Sequence, residues 1–148
     1  MTLRGLSGTS YNLDHTPIGS GGEGDIYRVL GKAGKVAKIY KPGAITDELV
    51  EKLMVMIHYP PSDSVMSQVA WPLDLLRDES NKCRGFVMPE LSINAELGEI
   101  YKYPSTLPIS MQQKINIAQN ICAVISEVHR AGYVFGDFNP RNIRLRKK

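Results

Sequence analysis

Gly19, Gly21, Gly22 and Gly24 crowd the segment IGSGGEGDIY, residues 18–27, and no other stretch limits the fold so sharply. A backbone this free loses much entropy on ordering, so the fold must gain something from the absent side chains. One gain is a surface of bare N–H groups that can lie close to a phosphate. The other is a tight, glycine-rich hairpin turn. The residues after Gly24 favour a hairpin in either case: DIYRVL alternates and is β-rich, GKAGK is a turn by composition, and VAKIY is a second strand. A dinucleotide fingerprint would open a helix at this point, and a Walker loop would continue into Gly-Lys-Ser/Thr. Both are excluded.

The rest of the chain reads as strands followed by helices. Tyr11 to Leu13, Asp25 to Leu30 and Val36 to Tyr40 form a meander. In ITDELVEKLMVMIHY, Leu49, Leu53, Met54 and Ile57 recur at helical spacing, with Thr46 or Asp47 as cap. SQVAWPLDLLRD and CRGFVMPEL read as two further strands around the polar turn ESNK. From Ser110 to Arg130 the pattern predicts the longest helix, with a wide apolar surface that belongs inside a larger packing arrangement. No repeat, low-complexity tract or interdomain linker stands out.

At 148 residues and 43% hydrophobic, the chain can bury a core. The net charge of +3 is mild, and the terminal cluster Arg141, Arg144, Arg146, Lys147 and Lys148 lacks the aromatic platform of a nucleic-acid site. Cys83 and Cys122, with His15, His58 and His129, give neither a disulfide framework nor metal-ligand spacing. The apolar runs LMVMI and ICAVI fall far short of a membrane span, so the expectation is a soluble, cytoplasmic chain.

GSGGEGDI followed by VAKIY resembles the glycine-rich loop and strand lysine of protein kinases. The resemblance implies an α+β fold, with residues 1–91 as N-lobe and hinge and 92–148 as the start of a C-lobe. Gly19, Gly21 and Gly24 match the three family glycines and Ile26 the valine two positions on. Ile18, Ser20 and Gly22 complete the nucleotide loop. Lys38 would hold the α- and β-phosphates of ATP, with Val36 on the same strand face against adenine. Its carboxylate partner would be Glu51, or Glu48, on the following helix. In GFVMPEL, Met88 would be the gatekeeper and Pro89, Glu90 and Leu91 the hinge, whose backbone groups read adenine.

HRAGYVFGDFNPRNI similarly resembles the kinase catalytic loop. Asp137 would accept the proton of the acceptor hydroxyl and Asn142 would ligate Mg²⁺. The departures are Val36 where the family has its alanine, Phe135 for a histidine, Gly136 for the arginine before the aspartate, and Asn139 for the γ-phosphate lysine. The pattern looks like a divergent bacterial branch. Asp-Phe-Gly does not occur in the sequence, and the 148-residue chain alone is expected to be inactive.

These features imply the ATP-binding part of a protein Ser/Thr kinase. The alternatives are a pseudokinase-like module that holds nucleotide or a partner, a nonenzymatic fragment assembling through its long helix, and a small-molecule kinase. The apolar 111–128 face, through Ile115, Ile117, Ile121, Val124, Ile125 and Val128, is expected to seek a second copy or a completing partner.

Overall fold

The computed structural model describes residues 1–91, 95–104 and 107–146. Lys147 and Lys148, the end of the basic cluster, lie outside the described residues. The chain divides into two compact units, 1–60 with 69–91, and 61–68 with the described residues of 92–148.

The first unit is built on an antiparallel sheet of seven strands: β1 (Thr2–Gly5), β2 (Ser10–Asn12), β3 (Gly19–Ser20), β4 (Gly24–Arg28), β5 (Lys35–Tyr40), β6 (Asp74–Arg77) and β7 (Cys83–Pro89). Their spatial order is β2-β1-β6-β7-β5-β4-β3. β1 is absent from the sequence expectation because it is short and only Leu3 and Gly5 turn inward. The strand expected across SQVAWPLDLLRD is confined to Asp74–Arg77. Pro72 can donate nothing to a ladder, so the approach through Trp71 and Pro72 is irregular although both are buried.

Side-chain alternation divides this unit's core between the two faces of the sheet. Leu3, Tyr11, Leu13, Val29, Ala37, Ile39, Leu76 and Val87 cluster together, and Tyr40, Leu53, Leu75 and Phe86 form a second group. Leu75 and Leu76, adjacent in β6, fall one on each side and are both fully buried. Each contributes roughly 1.5–3 kcal/mol relative to an exposed leucine.

Helix α1 (Asp47–His58) starts where the Thr46 hydroxyl accepts from the Leu49 N–H at 3.1 Å. Leu49, Val50, Leu53, Met54 and Ile57 form its inward stripe onto the second cluster. The Trp71 indole N–H donates to the Met56 carbonyl at 3.0 Å and ties the helix to the chain beneath it.

The second unit holds the short helix α2 (Asp63–Met66), the long helix α3 (Met111–Arg130), and a two-stranded ladder of β8 (Ala95–Glu96) with β9 (Arg144–Leu145). Ser110 and Gln113 form a reciprocal capping box at the start of α3. Asn120 donates to Gln68 at 3.0 Å, joining α3 to the segment after α2. A 3₁₀ turn, Leu97–Ile100, follows β8. Among the described residues no helix is long and apolar enough to cross a membrane. Cys83 and Cys122 are both free thiols.

Candidate functional site

The glycine-rich segment is the tip of the β3–β4 hairpin. Gly19 pairs with Ile26 and Ser20 with Asp25, and the Gly21 N–H donates to the Gly24 carbonyl at 2.9 Å. The four glycines serve different ends. A Cβ at Gly24 would lie 2.4 Å from the Ile39 carbonyl oxygen, so Gly24 is required by the close approach of β4 to β5. At Gly22 a Cβ would meet nothing within 4 Å, and at Gly19 and Gly21 only ordinary contacts. Those three positions leave space free at the hairpin tip.

Lys38, at the centre of β5, lies between Ile26 of β4 and Phe86 of β7. Its ammonium reaches the hairpin tip and pairs with Glu23 at 2.9 Å, while lying 4.9 Å from the Tyr40 ring centroid. Burial, then the Glu23 and Cys83 charges, push the Tyr40 phenol up to about 12. A second lysine, Lys41, donates to the Gly21 carbonyl at 2.7 Å, and its own N–H donates to the Glu23 carbonyl at 2.8 Å.

The expected partner of Lys38 is thereby corrected. Among the described residues its ion pair is with Glu23, not with Glu51 or Glu48. The reason is helical register: with Leu49, Leu53 and Ile57 turned inward, Glu48 and Glu51 fall on the exposed side of α1. Glu23 was legible only as the acidic member of the glycine run, and its reach back to Lys38 follows from hairpin geometry.

The residues expected to enclose adenine fall on neighbouring strands. Val36 is directly opposite Met88, and Lys35 opposite Pro89. Val36 is buried and Met88 half-buried against the second core cluster. The Glu90 N–H donates to the Gly34 carbonyl at 2.9 Å, which anchors the chain leading to Leu91.

In the second unit, α3 ends in a turn with Gly132 at φ 88°, where the Gly132 N–H donates to His129 and the Tyr133 N–H to Val128. The loop beyond carries Asp137 exposed to solvent. Its two carboxylate oxygens are held separately. The Asn139 amide donates to Oδ1 at 2.7 Å and the Asn142 amide to Oδ2 at 2.8 Å. Asn142 also donates to the Asp137 main-chain carbonyl at 3.0 Å, and Asn139 Oδ1 accepts from the Arg141 N–H at 3.0 Å. The substitution at Asn139 therefore supplies a neutral donor to Asp137 itself.

With its amide nitrogen committed to Asp137, Asn142 has no hydrogen bond to its side-chain carbonyl oxygen among those of the described residues. Among the described residues no group of three or more His, Cys, Asp or Glu could hold a metal.

On α3, Met111 and Ile115 are 71% and 44% exposed, whereas Val128, expected on the open face, is buried at 1%.

No family model matches the chain. Protein kinase YegI from two strains of Escherichia coli is 31% identical to it over 138 residues, covering 86% of this chain and 20% of the relative. The chain thus spans about a fifth of the length of these curated relatives. The Mycobacterium tuberculosis PknI kinase domain superposes with a TM-score of 0.65 at 16% identity, over 91% of this chain and 55% of that one. A cysteine-to-alanine mutant of that domain gives 0.61 at 17% identity. The curled antiparallel sheet with its single packed helix, and the long helix leading into the Asp137 loop, therefore have the protein-kinase-like fold, an N-lobe with part of a C-lobe.

Proposed function

We propose that this chain is the nucleotide-binding portion of an ATP- and Mg²⁺-dependent phosphotransferase whose acceptor is a protein Ser or Thr hydroxyl. The observation that carries the reading is the Lys38–Glu23 contact. An anion already sits between the glycine-rich tip and the β5 ammonium, 2.9 Å from it, where the family resemblance expects phosphate. In this reading Gly19, Ser20, Gly21 and Gly22 cover the phosphates, and Ile18, Ile26, Val36 and Met88 enclose adenine. The backbone of Pro89, Glu90 and Leu91 reads the adenine edge. Asp137 accepts the acceptor's proton, and the Asn142 carbonyl holds the metal that neutralises phosphate charge.

ATP titration monitored by calorimetry tests this. Lys38→Ala is expected to weaken binding roughly tenfold, the scale of one charge-assisted contact. Glu23→Gln is expected to tighten it severalfold, because a competing carboxylate leaves the ammonium. Equal affinity for all three proteins would overturn the assignment.

The exposed Met111 and Ile115 support a second reading, association through the α3 face. Light scattering at micromolar concentration is expected to report a species larger than one chain, and Ile115→Glu to return it to monomer. A monomer indifferent to that change excludes this contact.

A further inference from the structure

Next to the Asp137 loop is a cavity of about 480 Å³ lined by Glu96, Gly98, Lys102, Asn139, Pro140 and Arg141. We propose that it receives an acidic side chain of the polypeptide acceptor, making this a site selective for hydroxyls flanked by Asp or Glu. The inference rests on the phosphotransfer reading of Asp137.

Three observations carry it. First, among the described residues neither Lys102 nor Arg141 has an ion-pair partner, so both cations of the wall are unneutralised. The lining carboxylate does not cancel them: Glu96 is held by Arg144 at 2.9 Å and by the capping box of the 3₁₀ turn. The cavity is left with two uncompensated positive charges in its wall, a field that selects anions. Second, the cavity adjoins the reacting position. Asn139 contributes to its lining and also donates to Asp137 Oδ1 at 2.7 Å, so an acceptor hydroxyl at Asp137 has its neighbouring residues beside Lys102 and Arg141. Third, no aromatic ring lines it, and Gly98 and Pro140 offer no stacking surface. A nucleobase finds nothing to bind, whereas a carboxylate needs only the two cations.

The test is fluorescence anisotropy of the 148-residue chain with two labelled peptides, a central serine flanked by aspartates and the same serine flanked by lysines. The acidic peptide is expected to bind roughly tenfold more tightly, from two exposed charge pairs. The double variant Lys102→Glu/Arg141→Glu is expected to reverse the order, a gain for the basic peptide that loss of structure cannot mimic. Equal binding of both peptides by the unmodified chain, or an acidic preference that survives in the double variant, would overturn the inference. So would a double variant whose defect lies in ATP affinity, since the cations would then serve nucleotide phosphate. ATP titration of Lys38→Ala separates the two levels. A Lys38-dependent ATP site without peptide preference leaves the phosphotransfer reading standing and removes this one. Peptide preference without ATP binding retains the acidic-peptide site and removes that reading.

Discussion

Gly85→Ala is expected to lower the stability of the first unit by at least about 3 kcal/mol, a large share of the margin on which a domain stands. A Cβ at Gly85 would lie 1.9 Å from the Lys38 carbonyl oxygen and 3.1 Å from the Ile39 Cα, contacts with backbone that has nowhere to go. Gly24→Ala acts from the other flank of β5, 2.4 Å from the Ile39 carbonyl oxygen, and is expected to cost a comparable amount. Gly22→Ala is the control: nothing lies within 4 Å, and its effect on stability should stay within about 0.5 kcal/mol. Urea denaturation of the three variants gives the comparison. A Gly85→Ala midpoint indistinguishable from that of Gly22→Ala would show that the sheet gives way at little cost.

Asp74→Ala is expected to cost about 3 kcal/mol by removing the buried acceptor on which Ser7 and Tyr11 converge. Asp74 is 5% exposed and accepts from the Ser7 N–H at 3.2 Å, from the Ser7 hydroxyl, and from the Tyr11 hydroxyl at 2.9 Å, which ties the β1–β2 hairpin to β6. Burial foremost, reinforced by its hydrogen bond to Asp74, raises the Tyr11 pKa, so this phenol stays protonated and needs an acceptor. Tyr11→Phe in the Asp74→Ala background should therefore cost less than in the unmodified chain, because the stranded hydroxyl is already a liability. Additive effects in the four-protein cycle would refute the shared network.

Local patterns in the sequence identify much of this architecture. The glycine run, the alternation of DIYRVL and VAKIY, and the 3.6-residue stripe of α1 each depend on neighbouring residues alone, and they lead to the hairpin, β5 and a helix capped by Thr46 or Asp47. What escapes them depends on partners distant in sequence. Asp74 looks like a surface residue in WPLDLLRD until Ser7 and Tyr11 converge on it from more than 60 residues away. Glu51, with Glu48 in reserve, was the expected partner for Lys38 on the following helix, but one helix cannot turn Leu53 inward and Glu51 with it. Glu23 prevailed because a hairpin brings its tip back over the neighbouring strand. Asn139 read as a loss of charge, whereas the folded loop makes it a donor to Asp137.

The two glycines beside β5 also determine what moves. Gly24 and Gly85 allow the neighbouring strands to close against the backbone of Lys38 and Ile39, so the strand itself is a fixed base. The ammonium is carried on four rotatable bonds above it, and its partner Glu23 is 75% exposed at the hairpin tip. Trading that carboxylate for another anion is then a matter of side-chain torsions, which turn over in picoseconds to nanoseconds, rather than of sheet rearrangement in microseconds or longer. The rate at which Lys38 exchanges partners is therefore set by the hairpin tip and the solvent, not by the fold.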